Sequence, residues 1–324
     1  MIHFILRRLG QSLLVLLVMS VLVFAGVYAI GDPIDILINP QADQMERERV
    51  STALGLGEPL YKQYGLFLSH AVQGDLGNSF SYNVPALSLV FERLPATLEL
   101  AVCAMLIAVL LGIPLGLWAG LRPRAFTARL IGGASILGFS LPTFWVGMLL
   151  IMFFAVQLGW LPSGGRGPTV DVLGVPVSFL SWEGLQHLAL PALNLALFKL
   201  SLLIRLTRAS TRDALQQDYV RTARAKGLKE SRVVGVHVLR NIMLPIITVA
   251  GLEFGSLIAF AVVTETLFAW PGMGKLIIDA ITMLDRPLIL AYLLVTVLLF
   301  TAINLLTDLL YGVFDPRVRA RLTA

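Results

Sequence analysis

Cysteine, histidine and charge are all scarce in this chain. The one cysteine, Cys103, lies in an apolar run, which rules out a disulfide scaffold. The four histidines, His3, His70, His187 and His237, are scattered, with no HExxH pair and no cysteine beside them, so no metal site is expected. A GxxxxGKS/T phosphate loop is missing too. Gly274-Lys275 comes nearest, but Leu276 follows, and both the first glycine and the hydroxyl for Mg²⁺ are lacking. No serine stands in a nucleophile elbow with His and Asp partners. The chain therefore reads as no enzyme, and as holding no cofactor of its own.

Charged residues make up 14% of the 324, against about 25% in an average globular protein, while hydrophobic residues reach 57%. The mean hydropathy is +0.81. Too little polar surface remains to coat a soluble body, so lipid must be the solvent for most of the chain. A net charge of +5 would suggest nucleic acid in a soluble protein. Here its placement matters more than its size, and no nucleic-acid partner is expected.

A spanning helix needs about 20 mainly apolar residues. Residues 9–31, 100–121, 130–165 and 287–307 carry no charge, while 185–204 are interrupted only by Lys199 and 242–268 only by Glu253 and Glu265. The 130–165 run is long, but Gly159, Pro162 and Gly164-Gly165 end it, and it counts as one helix. The fold class is then all-α integral membrane, with six transmembrane helices. Seventeen of the 25 lysines and arginines fall in pieces that share one side if both termini are cytoplasmic, and seven fall on the other. Arg7-Arg8 before an apolar run resembles a signal peptide, yet the run is about 20 residues against 7–15 for a secretory core. We read it as a retained first helix.

The outer segment 32–94 is polar. It predicts one short helix at 43–54 and an amphipathic one at 60–72, with Leu60, Tyr64, Phe67, Leu68 and Val72 at helical spacing. Such a helix rests on the membrane surface or on the bundle. From Pro95 onward the helices form one module, 95–313, followed by a short cytoplasmic tail, 314–324. Gly112, Gly116 and Gly120 recur at four-residue spacing, as do small residues where helix backbones approach closely in lipid. Gly132, Gly133 and Gly138 do the same on the next helix. Pro114, Pro142, Pro191 and Pro245 mark kinks. Mid-membrane charge reduces to Lys199, Glu253 and Glu265, with a Lys199–Glu253 ion pair as the plain structural reading. That is little for a gradient-driven carrier, so the energy source belongs to another chain.

The largest cytoplasmic piece, within 209–240, carries the most information. Residues 209–226 lack Gly and Pro and predict a helix that stops at Gly227. Leu215, Tyr219, Thr222 and Ala223 share a face that ends in small residues, so Ala223, Ala225 and Gly227 would let another protein's side chains come close. A second helix is predicted from Ser231 as cap. Positive-inside retention explains the cations but not the whole string from Tyr219 to Gly227.

That string, Asp218-Tyr219-Val220-Arg221-Thr222-Ala223-Arg224-Ala225-Lys226-Gly227-Leu228, with His237 to Pro245 after it, resembles the coupling loop of type I ABC-importer permeases. The general family form is Glu-Ala-Ala-xxx-Gly with Leu-Pro some thirteen residues later. Here Arg221-Thr222-Ala223 stands first and Pro245 follows Gly227 by eighteen, a form similar to the dipeptide/oligopeptide/nickel branch. Gly31-Asp32-Pro33, the stretch from Ser140 to Ser163, Glu265 to Gly274 and Asp315-Pro316-Arg317 resemble the same branch. Gly55-Leu56-Gly57 and Gly74-Asp75-Leu76-Gly77 resemble the first of its two non-identical permeases.

The resemblance implies an N-terminal helix, 1–31, ahead of a five-helix importer core in the bacterial inner membrane. It implies a heterodimer with a second permease, two ATPase subunits that bind ATP and Mg²⁺, and a periplasmic solute-binding protein. The substrate would be short peptides. Nickel chelates, glutathione or another small solute ride the same scaffold, and a self-sufficient secondary carrier is the distant alternative. By the same resemblance Asp218, Tyr219, Arg221, Thr222, Ala223, Ala225, Lys226 and Gly227 would meet the ATPase. Phe268, Trp270, Pro271, Gly272 and Gly274 would form an outer gate, or merely a turn. A peptide path needs polar partners with few fixed charges, which selects Ser140, Thr143, Asn194, Thr248 and Ser256; each could instead bond back to its own helix.

Overall fold

The computed structural model describes residues 2–29 and 58–314, with Met45 and Arg49 between them. Apart from those two residues, the short helix expected at 43–54 lies outside the described residues, as does the tail beyond 314. In chain order the elements are α1 (Ile2–Ala29), α2 (Leu60–Val72), α3 (Ala86–Leu121), α4 (Phe126–Ser140) and α5 (Thr143–Gln157). A small hairpin follows, β1 (Val170–Val172) paired antiparallel with β2 (Val175–Val177). Then come α6 (Trp182–Leu215), α7 (Asp218–Ala225), α8 (Glu230–Phe260), α9 (Val262–Leu267), α10 (Met273–Thr282) and α11 (Arg286–Phe314). Among the described residues, five helices are long and apolar enough to cross a membrane, and the bent pair α4–α5, counted as one, makes a sixth span. The fold is an all-α, multi-span membrane body.

Of the four prolines expected to kink helices, only Pro142 breaks one. Leu141 before it is extended (φ −83°, ψ 136°), as a residue preceding proline prefers, and α4 and α5 meet at 108°. Pro114, Pro191 and Pro245 stay inside α3, α6 and α8, as does Pro95 in α3. The run at 130–165 is therefore two helices, not one.

The glycine stripe of α3 lies on α6. A Cβ on Gly112 would sit 3.0 Å from Leu203 Cβ, one on Gly116 2.6 Å from Thr207 Cβ, and one on Gly120 2.6 Å from Thr211 Cβ. Both partners advance by four residues together, so the two helices run parallel in fixed register with touching backbones. Gly138 of α4 leans on Ser201 of α6 in the same way, at 2.6 Å from Oγ, whereas Gly133 faces open space.

Three buried carboxylates tie down the outer end. Glu99 of α3 accepts from Arg166 (Nη2, 2.7 Å), from Ser178 N and Oγ (2.6 and 2.8 Å) and from Phe179 N (2.9 Å), which locks the β-hairpin onto the bundle. Asp285 caps α11 through Leu288 N (3.3 Å) and holds the preceding outer loop through Ser79 Oγ (2.5 Å). Glu265, at the turn before α10, is the third. Glu99→Ala should leave the largely covered Arg166 guanidinium without its counter-ion and with only the Pro176 carbonyl (2.5 Å) to bond, a loss of about 3 kcal/mol for such a pair. Hydrogen exchange across 166–180 should rise at least tenfold, while α3 itself stays protected.

The predicted amphipathic helix is α2, with the bounds expected. It rests on α1: Phe24 meets Tyr64 and Phe67 at ring-centroid distances of 5.4 and 5.5 Å, and Ser20 Oγ bonds the Tyr64 hydroxyl at 2.9 Å. Leu60 and Val72 face outward.

Candidate coupling surface and translocation cavity

The cytoplasmic segment departs from the single helix expected at 209–226. The spanning helix α6 runs on through Leu215, turns at Gln216-Gln217, and only then does α7 begin. Asp218 in its first turn suits the positive helix end. At the other end, Gly227 N bonds Arg224 O (2.9 Å) and Leu228 N bonds Ala223 O (3.4 Å), with Gly227 at φ +76°. This is the paired-bond Schellman stop that a left-handed C′ glycine permits. The second helix starts at Glu230 after Lys229, not after Ser231.

One face of α7 is buried. Val220 and Ala223 pack with Ala108, Leu203, Ala214, Val233 and Val238, a core shared by α3, α6 and α8. Arg224 grips Glu230 across the turn through Nη2–Oε1 (2.6 Å) and Nε–Oε2 (3.2 Å), the forked geometry that gives an exposed pair direction. The helix is thus fixed to α6 and to α8. Of the residues proposed to face a partner, Asp218, Tyr219, Arg221, Thr222, Ala225, Lys226 and Gly227 are exposed, whereas Ala223 points inward. Burial raises the Tyr219 phenol above its ordinary pKa, with a hydrogen bond from Asn241 working the other way, so it is neutral at physiological pH.

The residues that resembled an outer gate form a sealed turn in this chain. Phe268, Trp270, Gly272 and Gly274 are buried and Pro271 is half-buried. Trp270 Nε1 donates to Ala96 O (2.9 Å), and Gly165 N donates to Phe268 O (2.8 Å). Glu265 accepts from Thr97 Oγ1 (2.7 Å), Gly274 N (2.7 Å) and Lys275 N (3.1 Å), which caps the start of α10. The glycines are needed for that approach: a Cβ on Gly274 would stand 2.9 Å from Glu265 Oε2, and one on Gly272 would strike the carboxylate. Sequence reasoning had no role for Glu265, although two glycines seven and nine residues after an acid are the signal of such a cradle. Pro271 and Gly272 also edge a small outer pocket of about 210 Å³ with Tyr82, Arg93 and Asp279.

A larger cavity, about 480 Å³, opens within the membrane-spanning body. Thr143 and Ser256 line it, together with Leu195, Phe198, Lys199, Glu253, Leu257, Phe260 and Thr264. The other three path residues are occupied elsewhere. Ser140 Oγ donates to Ile136 O (2.9 Å) and Thr248 Oγ1 to Leu244 O (2.8 Å), each within its own helix. Asn194 is buried behind the wall and donates to Thr264 Oγ1 (3.1 Å). The Lys199–Glu253 ion pair forms, and Lys199 Nζ also donates to Ser256 Oγ (2.7 Å).

Comparison with known proteins decides the family. The family model for the inner membrane component of binding-protein-dependent transport systems matches residues 112–320, and that for its N-terminal region matches 1–101. The chain belongs to this family of permeases. It is 38% identical over 336 residues to the dipeptide transport system permease protein DppB of Escherichia coli K12, covering 98% of this chain and 99% of that protein. With the oligopeptide transport system permease protein AppB of Bacillus subtilis it shares 40% over 320 residues, at the same coverage. The glutathione transport system permease protein GsiC of Escherichia coli K12 is likewise 40% identical over 320 residues, with 98% and 99% covered. A solved chain of the MetNI methionine ABC transporter, in an inward-facing conformation, shares the fold at TM-score 0.54 and 15% identity, over 70% of this chain and 96% of that one. As a binding-protein-dependent permease, the chain is a multi-pass inner-membrane subunit of an ABC importer, part of a multi-subunit machine and not itself an enzyme.

Proposed function

We propose that this permease forms half of the path by which short peptides cross the membrane. A second, non-identical permease supplies the other half, two ATPase subunits drive the pair from the cytoplasm, and a periplasmic solute-binding protein delivers the peptide. The observation that carries the peptide reading is similarity over 98% of the chain to permeases named for dipeptide and oligopeptide transport. The cavity supports it, because an apolar wall around one neutral ion pair suits a solute with variable side chains and a constant backbone. Glutathione is a second reading, since the glutathione permease matches as closely; it too is a small peptide.

In this reading α7 is the lever. Asp218, Tyr219, Arg221, Thr222, Ala225, Lys226 and Gly227 meet the ATPase, and Ala223 braces the helix from within. The burial of Val220 and Ala223 supports a stiff connection, since a lever that bends on its own hinge passes no force to the spans. The unit 95–313 moves as the transport module, with 1–31 as an added anchor helix. Reconstitution with the partner subunits tests this. ATP-dependent uptake of radiolabelled dialanine should exceed that of glutathione at least tenfold; glutathione uptake alone would assign the second reading, and gradient-driven uptake by this chain without ATPases would refute both.

A further inference from the structure

Among the described residues, three buried carboxylates contrast with one that is only partly covered. Glu99, Glu265 and Asp285 are 6%, 0% and 0% exposed, and each is enclosed by at least three protein donors. They are fully satisfied struts. Glu253 differs. Its side chain remains 27% exposed, it lines the 480 Å³ cavity, and its two protein donors, Lys199 Nζ and Ser256 Oγ, both meet the same oxygen, Oε2. Lys199 lines the same space. An ionisable pair at membrane depth is costly to keep, and where the bundle needs a strut this chain seals one completely. A pair left open to a cavity is placed to exchange partners.

We propose that Lys199 and Glu253 are the station that takes the two charged ends of a zwitterionic peptide, its ammonium on Glu253 and its carboxylate on Lys199. The inference deepens the peptide reading and rests on it. No bond is made or broken; two ion pairs replace one, and every charge keeps an opposite neighbour throughout. This matters because a lone charge at this depth would be the expensive species. The pair must open by about the length of an extended dipeptide, roughly 7 Å. Ser256 already accepts from Lys199 and can donate to the incoming carboxylate. Phe198, Leu257 and Phe260 offer the side chains apolar surface without a fixed hydrogen-bonding pattern, so recognition falls on the termini and tolerates the residue types between them. A peptide with a blocked end leaves one protein charge unmatched and passes poorly.

The test uses the complete transporter in proteoliposomes, with its partner permease, ATPases and binding protein, and labelled dialanine as the probe. The double variant K199M/E253M removes both charges together, which for a merely structural pair is neutral or stabilising. It should assemble with an unchanged melting temperature and lose at least tenfold in dialanine uptake. Uptake at the wild-type rate would overturn the station while leaving the peptide reading intact. Absence of dialanine uptake by the wild-type assembly would overturn both. A second measurement does not depend on that variant. With Cys103, the one thiol of this chain, replaced by serine, Ser256→Cys labelling read on this chain after separation from its partners should be at least threefold slower with a small methanethiosulfonate reagent in 10 mM dialanine. A rate indifferent to dialanine would also refute the station.

Discussion

Gly227→Trp is expected to abolish ATP-driven uptake, by a hundredfold or more, in a protein that still folds and inserts. Gly227 stands at φ +76° with nothing within 4 Å of the position its Cβ would take, so a side chain there meets strain but no clash. A non-glycine residue in the left-handed region costs about 1–2 kcal/mol, which a six-span body tolerates. The indole would project beside Ala225 and Lys226, on the face proposed to seat in the ATPase, where small residues leave room for a neighbour. Gly227→Ala separates the two effects, because it carries the same backbone strain with almost none of the bulk. It should keep at least half of the uptake, and both variants should be recovered in wild-type yield and melt at the same temperature as each other, a few degrees at most below wild type. Wild-type uptake by Gly227→Trp would remove this face from the coupling contact.

The membrane class, the number of spans and the α2 helix were legible because they depend on composition and period, which are local properties of the sequence. The glycine stripe was legible as a close-packing face, but not its partner: nothing in residues 112–120 names Thr207 or Thr211, since helix pairing is a long-range choice. The end of α6 was misplaced because helix propensity continues smoothly from Ala209 to Lys226, while the actual break at Gln216-Gln217 is imposed by the burial of Val220 and Ala223 against Val233 and Val238. Ala223 was assigned outward for the same reason. With α7 treated as a continuation of α6, its buried face could not be located. Asp285 was overlooked although its signal was present, an acid before a proline at the start of an apolar run, the ordinary mark of a helix cap. Of the path residues, Thr143 and Ser256 line the cavity, yet Ser256 Oγ also donates to Glu253 O (2.9 Å) within its own helix, as Ser140 and Thr248 do within theirs and hydroxyls within helices commonly do. A sequence offers no means of telling those outcomes apart. The Lys199–Glu253 pair was visible from charge alone, yet only its exposure to a cavity distinguishes it from a strut.

Gly116→Val should be the most destructive single change in the spans. A Cβ at this position would lie 2.6 Å from Thr207 Cβ, 2.7 Å from the Ile204 carbonyl oxygen and 3.2 Å from Ile204 Cα. Carbon atoms rest about 3.5–4.0 Å apart, so α3 and α6 would have to separate by about 1 Å. The obstacle is backbone on the α6 side, which cannot rotate away as a long side chain would. Separation at this rung also loosens those at Gly112 and Gly120, because the two helices are straight partners in one register. The loss should exceed the about 1–3 kcal/mol usual for overpacking and appear as a drop of 10 °C or more in the melting temperature of the purified complex, with reduced yield. Gly133→Val provides the control, since Gly133 has open space around it and lies in a helix of the same body. It should melt within about 2 °C of wild type, as ordinary substitutions away from such contacts do. Equal melting temperatures for the two variants would mean that the close approach of α3 and α6 does not hold the permease together, and the parallel ladder would lose its structural role.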